Sequence, residues 1–82
     1  VRMKRIAVVT GGSSGIGLAI VKSLSLSGIQ GVSWDIKPPR EDVSFIECDV
    51  TSEDKVRAAF NQTVEKFGEP TILVNNCGLQ FM

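Results

Sequence analysis

"TGGSSGIG", residues 10–17, is where the chain changes its period. Before it, "RIAVVT" (5–10) is a short apolar run rich in β-branched side chains, which suits a strand buried on both faces. After it, Ile16, Ala19, Ile20 and Leu24 recur at helical spacing, and "SLSG" closes the segment with Gly28 placed as a C′ residue. A glycine-rich turn from strand to helix has a definite physical use. Glycines let the backbone turn sharply and approach a ligand with no Cβ in the way. The N–H groups that open a helix lack internal partners, and the helix dipole leaves that end partly positive. A diphosphate docked there answers both, with Ser13 and Ser14 available to cap the helix or to donate hydroxyls. The alternative is a tight turn that holds nothing. A Walker-type triphosphate loop is excluded, because no G-K-[ST] follows.

Outward from that corner, the rest of the chain alternates in the same way. "GVSWDI" (31–36) reads as a second strand, ended by Pro38 and Pro39, which neither a helix nor a central strand tolerates. "VSFIECDV" (43–50) is a third. Thr51 with Asp54 resembles a helix cap with an acidic first turn, opening a helix whose apolar face is Val56, Ala59, Phe60, Val64 and Phe67. Gly68 ends it, Pro70 forbids its resumption, and "TILVNN" (71–76) is a fourth strand. The short link between the second and third strands is compatible with a hairpin, but apolar runs favour parallel strands covered on both sides. The pattern predicts an open, parallel α/β sheet.

Composition narrows the function classes. The chain has 82 residues, 43% of them hydrophobic, with nine basic and nine acidic side chains and a formal net charge of zero. It is one small domain at most, with a marginal core. Interspersed charge of both signs gives no footprint for nucleic acid or an anionic membrane. No apolar run approaches the ~20 residues that span a bilayer, and the run after Arg5 breaks too early for a signal-peptide core, so a cytoplasmic protein is expected. Cys48 and Cys77 lack metal-ligand spacing, and the chain contains no histidine, so both are expected as reduced thiols.

The spacing of Thr10, Gly11, Gly15, Ile16 and Gly17 resembles the T-G-x-x-x-G-I-G motif of the short-chain dehydrogenase/reductase family. Three further stretches agree. Asp35 ends the second strand, roughly 20 residues beyond the loop, where a dinucleotide site places a carboxylate on the adenosine ribose. A carboxylate there accepts from both ribose hydroxyls and repels a 2′-phosphate, which argues for NAD over NADP; Lys37 and Arg40 nearby pull the other way. "CDV" resembles the family's Asp-Val pair, which implies that Asp49 and the Val50 N–H read the adenine edge. "NNCG" resembles N-N-A-G, which implies that Asn75, Asn76 and Gly78 brace the sheet and line the cofactor, with Cys77 in place of alanine. The cofactor-binding set implied is therefore Gly11, Ser13, Ser14, Gly15, Ile16, Gly17, Asp35, Asp49, Val50, Asn75, Asn76 and Gly78.

The resemblance spans essentially the whole chain. It implies a Rossmann-type doubly wound parallel sheet in the order 3-2-1-4, with residues 1–82 forming the N-terminal part of one dinucleotide-binding domain. In that order the third and fourth strands lie three spacings of about 4.8 Å apart, beyond the roughly 7 Å Cα limit for a Cys48–Cys77 bridge. Family members move hydride between a nicotinamide and an alcohol or carbonyl substrate, using a tyrosine tuned by a lysine in Y-x-x-x-K and a serine on a later strand. This sequence has no tyrosine. The expectation is thus the first portion of an oxidoreductase that is homo-oligomeric when complete, with the catalytic groups lying further on. The other reading is a free-standing nucleotide-binding or interaction module without chemistry.

Overall fold

The computed structural model describes residues 5–76. Six elements follow one another: β1 (Ile6–Thr10), α1 (Gly15–Leu26), β2 (Gln30–Asp35), β3 (Ser44–Glu47), α2 (Glu53–Lys66) and β4 (Ile72–Val74). The strands form a single sheet in the order β3-β2-β1-β4, and each of its three pairings is parallel. This is the doubly wound α/β arrangement expected from the sequence. All five residues of β1 are buried, because it is flanked by a strand on each side and a helix on each face. β1, β3 and β4 are shorter than the apolar runs that suggested them, whereas β2 keeps its length and is shifted back by one residue. β3 stops at Glu47, so Cys48, Asp49 and Val50 lie in the turn beyond it, and β4 stops at Val74, so Asn75 and Asn76 follow it. These short ends project beyond the sheet at its C-terminal edge, where ligands meet sheets of this kind.

The pleat divides the core into two layers. On one face, Ile6, Val8, Val32, Trp34, Ile46 and Ala59 form a cluster, with Val56 and Phe67 of the α2 flank packed against it. The Trp34 indole donates to Thr63 Oγ1 at 3.0 Å, and Thr63 in turn donates to the Ala59 carbonyl at 2.8 Å. The face of α2 turned to the sheet therefore carries a buried threonine, whereas Phe60 and Val64, expected inside, are each 40% exposed. The indole N–H needs an acceptor once buried, and Thr63 supplies it on the same helix face that packs Val56, Ala59 and Phe67.

On the opposite face α1 packs with Val21 against Gly31 and Ser33-side space left by small residues. Its inward residues are Gly17 and Val21; Ile16 is 75% exposed and Ala19 is also outside, against the stripe expected from spacing. Backbone contact at Gly17, described below, fixes this phase more strongly than the hydrophobic pattern does. At α2 the cap is Ser52, which accepts from the Lys55 N–H at 3.3 Å, and not Thr51. Thr51 is instead engaged with Asp49.

Cys48 is buried and free. Burial, followed by the Asp49 charge, pushes its thiol pKa up, with Lys55 opposing. Cys77 lies outside the described residues. No described helix is long and apolar enough to cross a membrane, and no described His, Cys, Asp and Glu residues cluster as metal ligands.

Candidate functional site

The C-terminal ends of β1, β2 and β4 meet around the turn from β1 into α1. The Gly11 N–H donates to the Trp34 carbonyl at 2.8 Å, carrying the ladder one residue past β1. The chain then turns into α1, and Leu18 is the first helical amide to pair inside the helix, donating to Ser14 O at 3.2 Å. By helix geometry the N–H groups of Gly15, Ile16 and Gly17 precede any such bond. Ser14 occupies the N-cap position, yet its side chain makes no capping bond and the first turn holds no acidic residue.

Two glycines make this geometry possible. Gly15 has φ +57° and faces open space, with nothing within 4 Å of where a Cβ would stand. Gly17 has no such room: a Cβ there would lie 2.1 Å from the Gly11 carbonyl oxygen. The helix thus starts directly against the end of β1, and its first residue, Gly15, borders a cavity of about 520 Å³ lined also by Ser13, Ser14, Asp35, Lys37 and Arg40. A cradle that a side chain would fill, bordered by unused N–H groups, fits an anionic group such as a diphosphate.

Asp35 ends β2 in the wall of the same cavity. Its Oδ2 accepts from the Ser13 N–H at 3.2 Å, and its Oδ1 accepts from Ile36 N at 2.7 Å and Lys37 N at 3.4 Å. Three backbone donors thus orient the carboxylate. Glu41, on the rim, is paired with Lys22 of α1 at 2.7 Å, tying the β2–β3 connection to that helix. A second cavity, of about 480 Å³, opens beyond β3 and is lined by Ile36, Cys48, Asp49 and Lys55. Asp49 Oδ1 accepts from Thr51 Oγ1 at 2.6 Å and from Thr51 N at 3.0 Å, and these two bonds hold its carboxyl below the usual aspartate pKa. Val50, next to it, is half-buried against the apolar cluster.

The two asparagines close the other side. Thr10 Oγ1 lies 3.4 Å from both the Val74 carbonyl and Asn75 Oδ1, and Asn76 Nδ2 donates to the Gly11 carbonyl at 3.4 Å. β4 is thereby laced to the turn after β1. The structure brings Gly11, Ser13, Ser14, Gly15, Ile16, Gly17 and Asp35 around one corner, with Asn75 and Asn76 on its β4 flank. Asp49 and Val50 border the neighbouring β3 end, and Gly78 lies outside the described residues. Sequence reasoning passed over Ser33, whose hydroxyl lies 3.0 Å from that of Ser13. Its signal was a lone hydroxyl inside "GVSWD", a strand otherwise read as apolar.

Comparison with known proteins agrees with this arrangement. The sequence profile of the family described as short chain dehydrogenase matches residues 5–82. The chain is 41% identical over 86 residues to (+)-borneol dehydrogenase 2 of Salvia officinalis, covering 92% of this chain and 30% of that one. It is 33% identical over 90 residues to the 15-hydroxyprostaglandin dehydrogenase [NAD(+)] of Bos taurus, covering 92% of this chain and 34% of that one. Among solved structures, the ligand-free aldohexose dehydrogenase of Thermoplasma acidophilum superposes with a TM-score of 0.83 at 36% identity, over 90% of this chain and 29% of that one. The chain therefore spans about a third of the length of the relatives it matches.

Proposed function

The chain belongs to the short-chain dehydrogenase family, whose members use nicotinamide cofactors, and on that premise we propose that residues 1–82 form the N-terminal part of the dinucleotide-binding domain of an NAD-dependent oxidoreductase acting on an alcohol or carbonyl substrate. The observation that carries this reading is the one cavity lined both by the Ser13–Gly15 turn into α1 and by Asp35. A diphosphate on those amides and a ribose on that carboxylate are what the two halves of an adenosine diphosphate require. When bound, the cofactor supplies a hydride acceptor or donor for a carbinol or carbonyl carbon.

The roles of this chain's own residues follow from their positions. Gly15 keeps a side chain out of the diphosphate's path, Gly11 at φ +67° makes the turn, Gly17 lets the helix begin against the Gly11 carbonyl, and the Ile16 N–H is one of the donors assigned to the diphosphate. Ser13 and Ser14 offer hydroxyls from the same loop. Asp35, already oriented by three backbone N–H groups, keeps lone pairs for the ribose hydroxyls and repels a 2′-phosphate. Asp49 and the Val50 N–H are assigned to the adenine edge, and Asn75, Asn76 and Gly78 to the wall on the β4 side. Without tyrosine or histidine, residues 1–82 hold no proton carrier of the kind this chemistry uses, so they bind without turning substrate over.

Support for NAD rests on Asp35, in a chain whose relatives include an NAD(+)-dependent enzyme by name. Calorimetric titration with NAD and NADP tests it. NAD should bind more tightly, by about tenfold or more given a carboxylate facing the extra phosphate, and Asp35→Ala should narrow the gap. Tighter binding of NADP would overturn the assignment.

A further inference from the structure

Resting on the dinucleotide reading of this corner, we infer that Ser33 is a positioning residue for the phosphate-binding loop, acting through a directed hydroxyl pair with Ser13. Ser33 is 0% exposed in the middle of β2, on the face covered by α1, and Ser13 Oγ at 3.0 Å is its described hydrogen-bonding partner. That environment fixes which oxygen donates. A buried O–H without an acceptor loses more than an oxygen with a spare lone pair does. If Ser13 donated to Ser33, the Ser33 proton would have no acceptor among the described residues. Ser33 therefore donates to Ser13. Ser13 lines the cavity, so its own proton is left to point outward, toward an oxygen of the bound diphosphate. A hydroxyl that is already accepting a bond is a stronger donor.

Two further contacts make the pair a positional device. Asp35, two residues along β2 on the same face, accepts from the Ser13 N–H at 3.2 Å, so two side chains of one strand grip one loop residue. The neighbouring Gly12 fits closely above them: a Cβ added there would stand 3.0 Å from Ser33 Cβ, from Ser33 Oγ and from Val21 Cγ2. The height of the loop above the sheet is thus set by Ser33 from below. Asp35 meets the ligand itself, whereas Ser33 does not reach the cavity surface, which makes Ser33 the cleaner probe.

The experiment is a double-variant cycle on the protein, with ADP and adenosine as ligands measured by calorimetry or amide NMR. Ser33→Ala should weaken ADP by about three- to tenfold, the range of one neutral hydrogen bond, while adenosine, which lacks the diphosphate, changes by less than twofold. Ser13→Ala should weaken ADP similarly, and the double variant should be no worse than Ser13→Ala alone, because the Ser33 effect passes through Ser13. Should Ser33→Ala fail to fold, Ser33→Cys, which keeps the volume but donates weakly, carries the test with a loss in the same direction. Unchanged ADP binding, an equal loss for adenosine, or additive losses in the double variant would overturn the inference while leaving the site assignment standing. A parent protein that binds neither ADP nor NAD would instead remove the dinucleotide reading on which the inference rests.

Discussion

Among the described residues a strand gives way to a helix at two corners, and they are built on opposite plans. At the β3–α2 corner the helix start is closed: Ser52 accepts from Lys55 N, Glu53 and Asp54 sit in the first turn, and Lys66 stands in the last. Each of these complements the helix dipole, and each contributes a few tenths to about 1 kcal/mol. At the β1–α1 corner none of this is present. The N-cap Ser14 makes no side-chain bond, the first turn is Gly-Ile-Gly with no acid, and the last turn has no base. The same chain knows how to cap a helix and leaves one uncapped. The difference is what the proposed site requires: an anion bound at the amides of α1 would stand in for the missing cap and offset its cost in stability.

The comparison breaks most severely at Gly17. A Cβ there would meet the Gly11 carbonyl oxygen at 2.1 Å and Asn76 Nδ2 at 2.9 Å, and the nearer obstacle is backbone. Gly17→Ala must therefore push α1 away from β1. Urea unfolding followed by the fluorescence of Trp34, the single tryptophan, should show a loss of about 3 kcal/mol. Titration should show NAD binding reduced beyond measurement. Near-parental stability and affinity would mean that the close start of α1 is not what organises the site.

Exchanging the plans of the two corners should have smaller effects of opposite sign. Ser14→Asp gives α1 the cap and the negative charge it lacks. It should raise stability by about 0.5–1 kcal/mol and weaken NAD about tenfold or more, because a carboxylate then occupies the diphosphate's place. Ser52→Ala, the reverse operation at the other corner, should cost about 1 kcal/mol with NAD affinity unchanged. Parallel movement of stability and affinity in Ser14→Asp would contradict the idea that this helix end is reserved for a ligand.

How far these plans could be seen in the sequence depended on where the determining interaction lay. The order of elements, the parallel sheet and the glycine corner were legible, because strand and helix periods and the T-G-x-x-x-G-I-G spacing are local signals. The phases of the helices were legible only in part: on α2, Val56, Ala59 and Phe67 do face the core, whereas Phe60 and Val64 do not. Val21 replaces Ile16 and Ala19 on the inner face of α1 because Gly17 must touch the Gly11 carbonyl, a contact between backbones that hydrophobic spacing does not encode. Thr63 stands on the inner face of α2 where Phe60 and Val64 do not, and there it accepts from the Trp34 indole, a partner far away in sequence. Ser33 was hidden for the same reason, since a hydroxyl in a strand has no meaning until the partner facing it is known. Thr51 was mistaken for the cap of α2 because either hydroxyl of "TS" satisfies the pattern, and only the turn closed by Asp49 assigns Thr51 elsewhere.

That turn gives the mildest separation of the two corners, through pH. Asp49 has its pKa lowered, first by the Thr51 side-chain bond and then by the Thr51 backbone bond. A carboxyl whose folded pKa lies below its unfolded value stabilises the fold fully above the ordinary aspartate value of 3.8, and this contribution disappears as pH falls below it through the folded value. Thr51→Val removes the larger of the two bonds, so the variant should be less stable than the parent from neutral pH down to about 4, and the gap should close on further acidification as the parent's own carboxylate is protonated. The measurement is urea unfolding at a series of pH values on both proteins. The first turn of α1 holds no acid and the Ser14 side chain makes no capping bond, so the pH dependence of the Ser14→Ala difference should stay flat over the same interval. A gap in Thr51→Val that widened toward acid would reverse the sign required by an Asp49 carboxylate held ionised, and the closed corner would then owe its stability to Ser52 and the acids of the first turn alone.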